Sequence, residues 1–502
     1  MNILTLFLIV PVLTVIAILI SRTKEQIRVS AAVGMGIQLI QSIYLIFAYL
    51  AERSRGNIDV MLFTKTWKWF ESMNIQFSIG VDGISVSLIA LTGIVIFTGV
   101  LTSWHVDYLT KEFFISLIVL STGVFGFFIS LDLFTMFLFF ELAVIPMYLL
   151  IGIWGSGPKE YAAMKLTLML MGASALLLVG ILGLYVNSVQ TGNPEFTFNI
   201  VDLSRIDLPI EVQRVFFPMV FVGFGVLGAL FPFHTWSPDG HSSAPTAVSM
   251  LHAGVLMKMG GYGCLRVAMY LMPDAANEMG WIFIILTTIS VVYGAFGAIV
   301  QKDLKYINAY SSVSHCGLVL FAILMSDKIS SNGAVLQMIS HGLMTALFFA
   351  LIGMIYERTH TRDIRFMGGL MKVLPFLAVC YMIAGFASLG LPGLSGFIAE
   401  MNIFVGAFQH SETFYRVATV IVCSSIVITA VYILRVVAAL LLGPIKNEEF
   451  NFLKDAVWFE KASTVILIIA IAGMGLAPLW LSELISESLN PIIQKLSLLN
   501  IY

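Results

Sequence analysis

Fourteen apolar runs, each long enough to cross a bilayer as helix, constrain this chain more than any other feature. They lie near residues 3–21, 29–51, 83–104, 113–130, 133–154, 163–187, 215–236, 243–271, 279–301, 304–325, 334–357, 374–409, 415–443 and 462–482. One helical crossing takes roughly 20 residues. The chain is 59% hydrophobic and 11% charged, where a soluble domain carries about 25% charged residues. One aqueous core cannot hide that much apolar surface. Lipid offers the backbone no hydrogen bonds, so only helices and closed barrels cross it. The alternation of barrel strands is absent. The sequence therefore predicts an all-α integral membrane protein with about 14 transmembrane helices.

The first run, "MNILTLFLIVPVLTVIAILI", lacks a basic start and is too long for a signal peptide, so it reads as the first span. Two later runs carry helix breakers: "FPFHTWSPDGHSSAP" interrupts span 7 and "LGLPGLSGF" interrupts span 12. Paired broken helices in corresponding halves point to inverted repeats. We expect two inverted five-helix repeats, spans 4–8 and 9–13, with broken helices 7 and 12. The expected divisions are a three-helix flank over 1–112, repeats over 113–271 and 279–443, and a linker with a helix over 444–502. Lysine and arginine are in excess on the side holding Arg22, Lys24, Arg28, Lys302, Arg358, Arg362 and Lys446. That bias puts both termini on the non-cytoplasmic side.

Several function classes drop out. No basic patch invites nucleic acid, and the net charge is −2. The four cysteines (Cys264, Cys316, Cys380, Cys423) lack ligand spacing and read as small core residues. The glycines of "KMGGYG" lie inside a span, where small residues let helices approach. The "VDGIS" at 81–85 lacks the further acidic ligands of a calcium loop. No haem, flavin or quinone motif appears, so no cofactor or metal is assigned to this chain.

What remains is charge in oil. Of 29 acidic residues, Glu141 and Glu400 alone fall well inside apolar spans. Lys258 and Arg435 are their basic counterparts, with Lys165 nearer an end. Each costs about 2.5–3.5 kcal/mol at a helix centre on insertion scales. His252, His315 and His341 lie within spans, and His234 lies at the first break. A structural ion pair could explain any one acid, and a lone buried histidine is often only a satisfied core residue. Arg435, near a span end, reads as structural. Several ionisable groups along one bundle read instead as an ion translocator working by acid–base relays.

The motifs also resemble a known family. "PFHTWSPDGHSSAPTAVSMLHAGVLMKMGGYGCLR" (232–266), "INAYSSVSHCG" (307–317) and "QMISHGLMTALFFALIG" (337–353) are similar to the antiporter-like membrane subunits of respiratory complex I and Mrp antiporters. "YERTHTRD" (356–363) and "LPGLSGFIAE" (391–400) resemble the subunit M type of NADH-quinone oxidoreductase, the counterpart of mitochondrial subunit 4. The resemblance implies a proton-translocating membrane-arm subunit in the bacterial inner membrane. Its neighbours would be subunits of the L and N types. Flavin, iron–sulfur clusters and quinone would sit in partner subunits. It also implies a proton relay of Glu141, Lys258, His315, His341 and Glu400.

One departure stands out. The family usually sets a lysine on helix 7 beside the helix 5 glutamate. Here Leu227 stands in that place, and no charged residue lies between Arg214 and His234. His234, His252 and Lys165 are the available substitutes. A subunit of a sodium/proton antiporter, and a non-pumping spacer, are the alternative readings.

Overall fold

A computed structural model describes residues 2–189 and 195–497. The chain runs through α1 (Leu6–Ile20), α2 (Lys24–Ser54), strands β1 (Leu62–Phe70) and β2 (Ile75–Val81), α3 (Gly83–Thr102), α4 (Thr110–Ile129), α5 (Leu133–Trp154) and α6 (Lys159–Val186). A short α7 (Ile200–Leu203) leads to α8 (Ile210–Leu227), α9 (Trp236–Ser243), α10 (Thr246–Leu251) and α11 (Met257–Gly263). Then follow α12 (Pro273–Val300), α13 (Leu304–Leu324), α14 (Lys328–Thr359), α15 (Pro375–Ser388), α16 (Ser395–Phe408), α17 (Thr413–Cys423), α18 (Ser425–Leu441), α19 (Trp458–Leu476) and α20 (Leu479–Ser497). Among the described residues, 12 helices are long and apolar enough to cross a membrane, with α17 and α18 counted as one; α15 and α16 are apolar but shorter.

Burial sorts these helices into a centre and a shell. The most apolar window of α14 is 100% buried, that of α13 94% and that of α3 83%, against 28% for α1. A helix sheltered from lipid on every side can carry polar groups without exposing them to hydrocarbon. Here α14 carries Asn332, Gln337, Ser340, His341 and Thr345, all buried.

Helix starts are written in the sequence. Thr23 and Gln26 form a reciprocal capping box at α2. Asp132 accepts from the Phe134 and Thr135 amides at α5, Asp303 from Lys305 and Tyr306 at α13, and Asp327 from Ser330 at α14. The ends of the bundle are tied by ion pairs such as Lys24–Asp107 and Arg362–Asp303, both at 3.0 Å. Arg435 donates to carbonyls at the end of α12, those of Ala298, Ile299 and Gln301. A cation at a helix C-terminus is well placed.

Three details depart from the sequence reading. The loop between the second and third runs folds into an antiparallel hairpin, Leu62↔Val81 to Phe70↔Ile75, which joins the start of α5 through Leu131 N–H to Ser78 O at 2.8 Å. The last run ends earlier than expected: α19 stops at Leu476, and α20 is a separate helix. Its buried residues, Leu481, Leu484, Ile485, Leu489, Ile492 and Leu496, recur at helical spacing. It touches the end of α2 and the starts of α3, α12 and α14 through Tyr49, Gly83, Asn277 and Asn332, so it lies across one end of the bundle. Finally, Cys423 is exposed on the bundle surface, whereas the other three cysteines are buried.

Candidate functional site

Buried ionisable groups lie beside the two places where helices stop inside the apolar core. The first is the stretch between α8 and α9. Trp236 anchors it by donating its indole N–H to Val226 O at 3.1 Å, and the Phe231 amide donates to Ser290 Oγ at 2.7 Å. Beyond it, Arg362 donates to Ser242 O at 2.7 Å and Lys305 to Ala244 O at 2.6 Å. These two cations satisfy carbonyls that a short helix leaves open at its C-terminal end.

After α10 the chain adopts a five-residue π turn, His252–Leu256. Such turns widen a helix locally and are frequent at functional sites. Gly254 within it faces Gly342 of α14; an added Cβ on either would press on the other's carbonyl oxygen. This close approach sets His341 beside Lys258. The Lys258 amine shares a 2.7 Å hydrogen bond with His341 Nδ1 and donates also to Ala253 O.

From His341 the line continues. Its ring centroid is 5.1 Å from that of His315 on α13. His315 Nδ1 lies 3.0 Å from Gln337 Nε2 and 3.7 Å from Glu400 Oε1. Glu400 sits in the second turn of α16, just past the second interruption. Gly390, at φ +63°, bends the chain back there, and its Cα hydrogen occupies the space where a Cβ would meet Glu400 Oε2. Ser340 Oγ donates to Ser395 Oγ at 2.7 Å, fixing the start of α16 to α14. Lys258, His341, His315 and Glu400 are each less than a tenth exposed.

Glu141 stands apart from this line. Its carboxyl is half-buried on α5, faces the Ser174 hydroxyl of α6, and leaves Oε1 without a hydrogen bond. None of the three expected substitutes for the lysine pairs with it. Lys165 is bound to Asp239 at 2.7 Å, and Tyr306 OH donates to the same carboxylate at 3.1 Å. His234 lies against Phe231 and Tyr293, with ring centroids 5.7 and 4.9 Å away. His252 stacks on Trp236 at 5.0 Å. Leu227, the last residue of α8, is fully buried among apolar neighbours.

Two groups escaped the sequence reading. His241, inside the "SPDGH" of the first interruption, is fully buried with its ring 4.2 Å from His252. Neither ring makes a hydrogen bond through either nitrogen among the described residues. The signal was the histidine itself, two residues past Asp239, which the breaker pattern overshadowed. Asp82, read only as part of a failed calcium loop, accepts a hydrogen bond from buried Arg266. A third cluster brings ligand atoms of His105, Glu357 and Glu460 within 4.8 Å of one another. There Glu460 already accepts from Arg358 at 2.6 and 3.0 Å, so a metal would have to displace a guanidinium.

The arrangement agrees with comparisons to known proteins. Residues 130–429 match the family described as NADH:quinone oxidoreductase/Mrp antiporter, transmembrane. The NADH-quinone oxidoreductase subunit M of Rickettsia conorii is 33% identical over 501 residues, covering 98% of this chain and 99% of the relative. A chain of respiratory complex I from Thermus thermophilus superposes with a TM-score of 0.88 at 24% identity, covering 98% of this chain and 99% of that one. A chain of the Mrp complex from Dietzia superposes at 0.83 with 19% identity, covering 99% of both chains. The last two show a shared fold.

Proposed function

Because this chain belongs to the NADH:quinone oxidoreductase/Mrp antiporter family of membrane subunits, we propose that it translocates protons across the bacterial inner membrane as part of a respiratory quinone oxidoreductase. The family assignment makes it a non-catalytic membrane-arm subunit of the subunit M type. In the proposed assembly it stands between antiporter-like neighbours of the L and N types. Flavin, iron–sulfur clusters and quinone belong to partner subunits, and the redox steps occur there.

One observation carries the proton reading: the buried line Lys258–His341–His315–Glu400. The Lys258 amine can pass a proton along its hydrogen bond to His341 Nδ1. Each imidazole can take a proton on one nitrogen and release one from the other. His315 then faces the Glu400 carboxyl, which alternates between neutral acid and carboxylate. The neighbouring rings of His241 and His252 extend the line from Lys258 toward the first interruption, and Glu141 is the acid on the far side. In low dielectric each such charge strongly biases its neighbour, so a proton arriving at one group favours departure from the next.

The same reading takes the fold as 14 crossings in two inverted five-helix repeats, over 113–271 and 279–443. Adding the α10–α11 run and the α15–α16 pair to the 12 long helices supports that count. The interruptions at α8–α9 and α15–α16 correspond under it, and both termini face the non-cytoplasmic side.

The test is Lys258→Met and Glu400→Gln in the native complex. Donor-driven acidification of inverted vesicles is followed beside quinone reductase activity. Pumping should fall several-fold with the subunit still assembled; full proton stoichiometry in both variants overturns the relay. A second reading is favoured by the lack, among the described residues, of any cation paired with Glu141. Under it the Glu141 half is a spacer, and Glu141→Gln leaves pumping unchanged. A sodium/proton antiporter assembly would purify through this chain without flavin or iron–sulfur clusters.

A further inference from the structure

Where α20 crosses the end of the bundle, a recess of about 420 Å³ opens between α2, α3, α14, α19 and α20. Its walls are hydrocarbon. Among the described residues its only hydroxyl is that of Ser87, which donates to Gly83 O of its own helix at 2.7 Å. A buried water needs about two to four polar partners, and these walls offer no such set. Small residues on one face of α19 make the space: Ala470, Gly473 and Ala477 recur at helical spacing. A Cβ added to Gly473 would meet no atom within 4 Å.

The recess reaches the centre of the molecule. Its floor includes Ile339 and Leu343 of α14, the helix otherwise sheltered from lipid. Leu91 of α3, also in the wall, lies against Gly342: a Cβ added there would meet Leu91 Cδ2 at 2.7 Å as well as Gly254 O. Whatever fills the recess therefore packs behind the glycine pair that sets His341 beside Lys258.

Shape selects the occupant. From Ala470 to Ala477 the recess runs roughly 10 Å, at about 1.5 Å per residue; a bilayer core is about 30 Å thick. Toward one end α19 closes on α3, where Ser463 donates to Thr98 O at 3.2 Å. Toward the other α20 closes on α3, where the Gly83 amide donates to Ser488 Oγ at 2.8 Å. A transmembrane helix of a neighbouring subunit is too long and too stiff for a pocket closed at both ends. A hydrocarbon chain is neither. At the mouth stands Trp480, 42% exposed, a residue type that favours the membrane–water interface. The segment 480–487, "WLSELISE", exposes Glu483 and Glu487 and carries no lysine or arginine. Arg53 shares the adjoining surface with Glu487 but is bound to Tyr49 OH and to the carbonyls of Asn57 and Asp59. Such a rim repels an anionic head group and attracts an ammonium.

We propose that this recess holds one acyl chain of a phosphatidylethanolamine of the bilayer, with its ammonium on the Glu483 and Glu487 face of α20. The lipid then acts as a wedge behind α14. The site does not depend on the proton reading.

The native complex is reconstituted with phosphatidylethanolamine carrying a diazirine at the end of one acyl chain, irradiated, and mapped by peptide mass spectrometry. Adducts are expected at Ile339 and Leu343 of α14, which bulk lipid does not reach, and at Ile40 on the outward face of α2, which it does. Gly473→Leu fills the recess from a position with room for the side chain. It should cut the α14 adducts several-fold and leave those on α2 unchanged. Phosphatidylglycerol with the same diazirine should label α14 several-fold less, and Glu483→Gln with Glu487→Gln should remove that difference. Absence of α14 adducts in the native complex overturns the site, as does α14 labelling that survives Gly473→Leu. Equal labelling by the two lipids overturns the head-group assignment. None of these measurements reads proton movement, so this site and the relay fail separately.

Discussion

At the scale of single residues, the costliest charges are those with no water to retreat to. Arg266 and Asp82 are each 1% exposed and hydrogen-bonded to one another, and the Arg266 guanidinium lies 5.7 Å over the Tyr262 ring. Removing one member strands the other, which costs about 3–5 kcal/mol. Asp82 also caps α3 by accepting from the Ser85 amide at 2.9 Å. Asp82→Ala should therefore lower the thermal stability of the purified complex sharply, and Arg266→Met added to it should restore most of the loss. A double variant no more stable than the single one contradicts the pairing. Arg266 was visible in the sequence as a basic residue inside a span. Its partner was not, because 184 residues separate them and only folding brings them together. The same holds for Lys165, which the sequence offers to Glu141 and the fold gives to Asp239.

At the scale of one element, α5 begins on a buried acid. Asp132 caps the helix, and burial pushes its carboxyl up from the ordinary 3.8 to about 6. Folding then takes up a proton between pH 3.8 and about 6. That contribution stabilises the folded state on acidification and is lost as pH rises through the folded value. Asp132→Asn keeps a capping oxygen without the ionisation, so it should flatten the rise in thermal stability on acidification across this window. An unchanged slope would show that Asp132 does not titrate there. Capping residues of this kind are legible because chemistry and position coincide in a few residues. The hairpin was less so: "FTKTWKWF" alternates like a strand, but it lies between spans whose hydropathy dominates the reading. The π turn at His252 was not legible at all, since the close approach of Gly254 to Gly342 of α14 that accompanies it exists only in the fold.

At the scale of the whole molecule, the helical membrane architecture and the positions of Lys258, His341, His315 and Glu400 could be read from apolar run length and misplaced charge. Their connection into one line could not, because it depends on α13, α14 and α16 converging. Nor could the role of α20, whose start was merged with the preceding apolar run across Pro478. This helix spans one end of the bundle, bonding to Tyr49, Gly83, Asn277 and Asn332 through Ser482, Ser488 and Leu496. Leu489→Asp, which puts a charge on its buried face, should loosen that end. Limited proteolysis should then cut the 55–61 segment between α2 and β1 several-fold faster, while the transmembrane helices stay inserted. Equal cutting rates would show that α20 is not what holds this end.

Such a clasp has a consequence in time. The Gly83 amide is bonded by Ser488, 405 residues later in the chain. At about 5–20 residues per second, a ribosome takes roughly 20–80 s to travel that distance. Arg266, 184 residues after Asp82, arrives well before that interval ends, but the Gly83 amide waits for Ser488 until α20 is made. During biogenesis the first turn of α3 therefore gains its ion pair before its clasp, and a nascent chain leaves that amide within reach of water, proteases and assembly factors.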